Sequence, residues 1–257
     1  MNQLALFSGI FSYEFRMQFR RLALWITFFG IAALLLLRGG FRFLLVFALN
    51  QPLLPLVAEW ARSLNFLLPI AAGVLLADRL ARDRKTRVDE LFTSAPGALS
   101  IRLAGKYAGS TLATLIPIFL FFSIGAGSIL YQTHNLLTIP YALEAFATII
   151  LPGILFVSAF SIACPFLLWV PLYQFLFVGY WFWGNILNPG SGIPTLSGTL
   201  LTPVGGYMAS AFFGDNDQLI QNATITQGVE SLSLLLGIAL LVMVVLWWLM
   251  RWEQARQ

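Results

Sequence analysis

Residues able to do chemistry are few in this chain, and their spacing excludes most reactions. There is one histidine, His134, and one cysteine, Cys164. No His-based metal site, Ser-His pair or internal disulfide can be assembled from them. Gly105-Lys106 comes nearest to a phosphate-binding loop, but Tyr107 follows and the upstream glycine of G-x-x-x-x-G-K-[ST] is absent. Ser158 and Ser161, after Gly153, do not form a G-x-S-x-G elbow. Within the apolar stretches the ionisable residues reduce to Glu144, Glu230 and Lys106, each near an end. They are expected at a membrane interface rather than in a proton or ion relay. Neither a catalytic residue nor a cofactor or metal ligand is expected.

The composition says what must position these residues. Of 257 residues, 59% are hydrophobic and 10% charged, and the mean hydropathy is +0.82. A soluble globular chain carries about 25% charged residues, and here Ala145 to Gly214 contains no Asp, Glu, Lys or Arg. Such a chain cannot cover a water-facing surface, which excludes a soluble enzyme, a secreted disulfide scaffold and a nucleic-acid binder. The pattern predicts an all-α polytopic membrane protein, a single transmembrane domain over 1–257. Residues 1–8 lack a basic n-region, so the first apolar stretch is expected to stay in the mature chain.

About 20 apolar residues cross a bilayer core, and six spans follow: about 22–37, 63–77, 103–130, two within 142–187, and 231–250. Residues 38–63 leave the ends of the first two open. The 142–187 block is too long for one crossing, and Cys164-Pro165 and Val170-Pro171 offer a place to fold it. With six spans, Arg16, Arg20, Arg21, Arg79, Arg82, Arg84, Lys85, Arg87, Arg102, Lys106, Arg251 and Arg256 share one side, and Arg38, Arg42 and Arg62 the other. Both termini are therefore expected to be cytoplasmic.

Three pieces outside the spans carry pattern. In the N-terminal segment 4–21, Leu4, Phe7, Phe11, Phe15 and Phe19 recur every three or four residues, continuing to Leu22, with Glu14, Arg16, Arg20 and Arg21 off the stripe. That predicts an amphipathic helix in the interface. The connection 78–97 is the most charged stretch. Thr86 and Asp89 have capping-box spacing, Val88, Leu91 and Phe92 then fall on one face, and Pro96-Gly97 ends the helix. Apolar knobs on a charged element suit a partner's groove. The extracytoplasmic segment 188–228 is rich in Gly and Pro around an apolar run 207–213, and short re-entrant or interfacial helices fit it. Asn222-Ala-Thr224 also reads as a weak glycosylation acceptor. Gly105-x-x-x-Gly109, flanked by Ala104 and Ala108, provides a small face for close helix packing.

At the 78–97 connection the chain resembles the permease subunits of ABC-2 type transporters. The residues concerned are Asp78-Arg79, Arg82-Asp83-Arg84-Lys85-Thr86, Asp89-Glu90-Leu91-Phe92, Ser94-Ala95-Pro96 and Gly105-Lys106. The resemblance covers 73–109 closely and the remainder in architecture only. It implies a multi-pass subunit of a prokaryotic cytoplasmic membrane, pairing with a second permease and receiving two copies of a separately encoded ATP-binding subunit. ATP and Mg would sit on that partner. By the same resemblance, Arg84, Lys85, Thr86, Arg87, Val88, Asp89, Glu90, Leu91 and Phe92 form a coupling helix docked on the ATPase. Phe11, Glu14, Arg16, Arg20 and Arg21 belong to a connecting helix beside it, and Pro96, Gly105 and Lys106 close the motif. Export is the implied direction.

Two other classes compete. A membrane-integral lipid-modifying enzyme would need clustered His, Asp or Glu, and a secondary carrier a midplane carboxylate or an internal repeat. Trp169, Phe175, Phe177, Trp181 and Trp183 hint at a lipidic or amphipathic cargo, though aromatic residues also serve as belts and packing.

Overall fold

The computed structural model describes residues 3–35, 52–85, 98–217 and 219–256. Among them there is no strand. The helices are α1 (Gln3–Phe19), α2 (Leu22–Leu35), α3 (Leu53–Leu76), α4 (Arg79–Lys85), α5 (Leu99–Thr133), α6 (Thr138–Ala145), α7 (Leu151–Ala163), α8 (Val170–Asn185), α9 (Gly206–Phe213) and α10 (Ile225–Gln254). A five-residue π turn, Phe146–Ile150, joins α6 to α7.

Four stretches are long and apolar enough to cross a membrane: Leu53–Arg82, Leu99–Thr133, Thr138–Phe166 and Ile225–Gln254. The α1–α2 pair, bent by 56°, makes a fifth if taken as one span. Among the described residues, length and composition thus support four to five crossings against the six expected, the difference lying at α8 and at the α1–α2 pair. The 16 residues of α8 extend about 24 Å at 1.5 Å per residue, short of a bilayer core of about 30 Å. The prolines expected to fold the 142–187 block lie at this break: a short 3-10 turn spans Cys164–Phe166, and Pro171 sits in the first turn of α8.

Every span with a shifted boundary is longer than its apolar run. The second begins at Leu53 and carries Glu59 and Arg62 inside the helix. The third takes in Arg102 and Lys106. The last starts at a capping box in which Thr224 accepts from the Gln227 amide at 3.3 Å and Gln227 Oε1 accepts from the Thr224 amide at 2.9 Å. Satisfying the exposed amides of its first turn extends that helix beyond the apolar stretch.

α3 is the hub. It packs against α2, α5, α7, α8 and α9, and its buried positions include Leu56, Trp60, Leu64, Leu68, Ala72 and Leu76. Indole N–H groups tie neighbours to backbone: Trp60 donates to the Phe122 carbonyl at 3.1 Å, and Trp181 to that of Phe66 at 2.8 Å. Trp181 and Phe177 are therefore core residues, whereas Trp169 and Phe175 are exposed. Gly125 leaves the room that the Trp60 ring fills, and Gly73 does so for Phe177.

Asn65, buried within α3, donates its amide hydrogens toward three carbonyls: Ile149 in the π turn at 3.0 Å, Pro203 at 2.8 Å and Val204 at 3.1 Å. The opposite amide orientation would set a carbonyl against three carbonyls, so the contacts define it. This one side chain joins α3, the widened turn and the 188–228 segment. That segment packs against the bundle through α9, whose Met208, Ala209 and Phe213 are buried against α3 and α10. The short helix expected in the apolar run 207–213 is present.

α10 combines the highest hydropathy of the four crossing stretches with the least burial, 17% of its most apolar window. Its neighbours α7 and α9 cover one side, and Leu240, Leu241, Val244 and Trp248 remain exposed. An apolar helix left open in this way suits hydrocarbon rather than water.

Candidate functional site

The site grows from the small face of α5. A Cβ on Gly105 would meet the Ile10 side chain at 3.0 Å, and one on Gly109 would meet the Phe11 carbonyl oxygen at 2.6 Å. The two glycines therefore let the α1 backbone lie directly on α5. The packing expected of Gly105-x-x-x-Gly109 is found, with α1 as its partner.

That approach submerges polar groups. Glu14 is 3% exposed, Gln18 0%, Arg79 2% and Lys106 7%. Lys106 Nζ donates to Glu14 Oε1 at 2.5 Å, and Glu14 Oε2 lies 3.8 Å from an Arg79 guanidinium nitrogen. Nearer the surface, Arg21 holds Asp78 with both terminal nitrogens, at 2.9 and 3.0 Å. Ser110 and Thr114 return their hydroxyls to carbonyls one turn back on α5. A charge leaves water only when a partner compensates it, and here the partners come from three elements, α1, α4 and α5.

Lys106, expected near a membrane interface rather than in a relay, is held in a buried ion pair because α1 covers it. One expectation is corrected. Glu14 was expected on a water-facing polar side, yet Glu14 and Gln18 are the deepest residues of α1. The Phe stripe is half-buried and stacks on itself. Ring centroids of Phe7, Phe11, Phe15 and Phe19 are 6.0, 6.2 and 5.5 Å apart in turn. The ladder crosses the bend to Trp25, 5.1 Å from Phe19, whose indole donates to the Phe19 carbonyl at 2.8 Å.

Of the expected site residues, Phe11, Glu14, Arg21, Gly105 and Lys106 come together. Arg16 and Arg20 are exposed, and Arg84 and Lys85 end α4. Thr86, Arg87, Val88, Asp89, Glu90, Leu91, Phe92 and Pro96 lie outside the described residues. The sequence reading missed Gln18 and Arg79 as members. Gln18 is four residues after Glu14 and shares its helix face, a signal that was available. Arg79 entered the sequence reading as a topology charge and as part of the Asp78-Arg79 pair of the permease resemblance, not as a buried partner of Glu14.

Glu144 and Glu230 are exposed, and no group of three or more His, Cys, Asp or Glu among the described residues could hold a metal. What the cluster of Glu14, Arg79 and Lys106 does chemically is lock three helices together by charge.

A second polar cluster is centred on Arg62 of α3. Arg62 pairs with Asp215 at 2.9 Å and Asp217 at 2.5 Å, fastening the segment before α10 to α3. Burial raises the Asp215 carboxyl above its ordinary value, Arg62 opposes that rise, and Asp217 adds to it. A carboxyl so raised favours the protonated folded state, so its contribution to stability falls as pH climbs through the raised value. Replacing Arg62 by methionine removes the opposing charge and moves this loss to higher pH. The variant is expected to melt well below the parent at about pH 7 and to regain much of the difference near pH 4. Melting curves of both chains in lipid nanodiscs check this, and a difference independent of pH would refute it.

Between α5, α7 and α10 lies an open apolar groove of about 670 Å³, lined by Leu103, Tyr107, Leu155, Leu240 and Trp247 among others. Tyr107 closes one edge by donating to the Leu155 carbonyl at 2.9 Å. No family model matches the chain, and no curated protein matches it.

Proposed function

We propose that this chain is the membrane-spanning permease subunit of an ABC-2 type transporter, moving substrate outward by using ATP hydrolysed on a separately encoded ATPase. In this reading it has six crossings, with α2 and α8 completing spans that their described lengths alone do not reach. Both termini are cytoplasmic, and two permeases face each other. ATP and Mg belong to the partner.

One observation carries the proposal. The N-terminal helix, α4 within the charged connection and α5 after it are clamped in a single buried cluster through Glu14, Arg79 and Lys106. A force applied at 86–92 would enter α4 and α5 at their adjoining ends and reach α1 at once. An interfacial anchor alone has no need of such a joint. It would keep its polar residues in water.

The test is reconstitution of the full chain with a separately encoded ATP-binding subunit from the same genome. The two are expected to co-purify, and Leu91→Asp or Glu90→Arg to reduce the recovered ATPase at least about tenfold, the loss of about 1.4 kcal/mol of binding. Cysteine labelling of 82–90 should occur from the cytoplasmic side. Labelling from the other side, or transport under a proton gradient with no ATPase present, would overturn the reading.

A further inference from the structure

The Arg79 guanidinium is buried to the same depth as the core leucines, yet none of its nitrogens makes a hydrogen bond. Glu14 Oε2 lies 3.8 Å from it and is itself buried without a hydrogen bond, and the neighbouring Asp78 carboxylate, held by Arg21, also favours its charge. The other carboxylate oxygen is fully engaged with Lys106. One turn along α1, both amide atoms of Gln18 are buried and unpartnered, as is the Thr111 hydroxyl on α5. A fully desolvated guanidinium with five idle donors is among the costliest groups a fold can hold. It is tolerated where another arrangement of the same elements satisfies it.

We infer that Glu14 is the pivot of a two-position latch, its carboxylate exchanging between Lys106 on α5 and Arg79 on α4. In the position described here the α5 arm is a hydrogen bond of 2.5 Å and the α4 arm a looser ion pair at 3.8 Å. The gap from 3.8 Å to an ordinary charged hydrogen bond of about 2.8 Å is about 1 Å. A small rotation of α1 on the Gly105–Gly109 face closes it, because on the α5 side that contact is glycine backbone with no side chain to interlock. Gln18 turns with the same helix face and gains new neighbours in the other position. The cluster thus holds α1 in either of two places and penalises the region between, as a bistable element requires. The functional meaning rests on the permease reading, in which α4 leads directly into the element that would receive the push. The latch itself requires no ATPase.

The test is a double-mutant cycle on the full chain in nanodiscs, free of any partner, using Lys106→Met and Arg79→Met. In a latch each arm can substitute for the other. Lys106→Met then lets Glu14 turn to Arg79, and Arg79→Met removes an unsatisfied charge. Each single change lowers the melting temperature little, whereas the double change strands Glu14 and lowers it by more than twice the sum of the single effects. Strictly additive losses, or a Lys106→Met loss as large as that of the double variant, would overturn the latch. If a methionine variant does not accumulate, the cycle is run with Lys106→Gln and Arg79→Gln, with the same criterion. Because the measurement involves no nucleotide or transport, its failure leaves the permease proposal to its own experiment.

Discussion

Glu14→Leu should be the most damaging single substitution in the N-terminal half, costing about 3–5 kcal/mol, because it leaves buried Lys106 and Arg79 with no anion between them. The side chains involved are nearly out of solvent, at 9% for Lys106, 5% for Glu14 and 1% for Arg79, so water cannot step in as the counter-group. Deleting the one anion that two buried cations share is worse than deleting all three groups. Glu14→Leu combined with Lys106→Met and Arg79→Met is therefore expected to recover most of the loss. Denaturation midpoints of the single and triple variants compare the two. A triple variant no better than Glu14→Leu would mean that the damage comes from packing rather than from charge.

Gly109→Val should detach α1 from α5. The first added carbon would stand 2.6 Å from the Phe11 carbonyl oxygen and 3.1 Å from the Glu14 Cβ. The first of these is backbone, which cannot swing aside as a side chain could. Overpacking of this kind costs about 1–3 kcal/mol. Here it also draws Glu14 away from Lys106, so the charge penalty adds to the steric one. Gly109→Ala meets the same oxygen with less bulk and should lie between valine and the parent. Limited proteolysis reads this directly, with cleavage within Tyr13–Phe19 expected to accelerate at least about tenfold in the valine variant. Unchanged cleavage with lowered stability would place the strain inside α5 instead.

The positions that were legible in the sequence share one property: the information is local. The spacing of Gly105 and Gly109 announced a close helix contact, and the apolar run 207–213 between glycines announced a short helix. What escaped was the partner of each buried polar group. Glu14 and Lys106 are 92 residues apart in the chain, and Arg62 and Asp215 are 153 apart. Nothing in a helical repeat identifies such pairs. Charges at span ends were read as topology signals, a reading blind to ion pairs formed between spans. Attention to ionisable groups also passed over Asn65, an amide with three carbonyl partners. Around Thr224 the error was of another kind. A capping box with Gln227 was there to be seen, but the same residues were read as a weak modification motif. The short α8 had no local warning, since its apolar run continues past both ends of the helix.

The widened turn at Phe146–Ile150 bears on how this bundle can move. One extra residue in a turn shifts everything beyond it by about 100°, so α6 and α7 behave as two rods set at different phases. Asn65 grips the joint at the Ile149 carbonyl and, with the same amide, the loop at Pro203 and Val204. A piston stroke along the whole span would have to tear three anchorages at once. A tilt imparted to α7 from its far end would bend the chain at the joint, while Gly153, lying against the Pro203 carbonyl, carries the motion to the 188–228 segment.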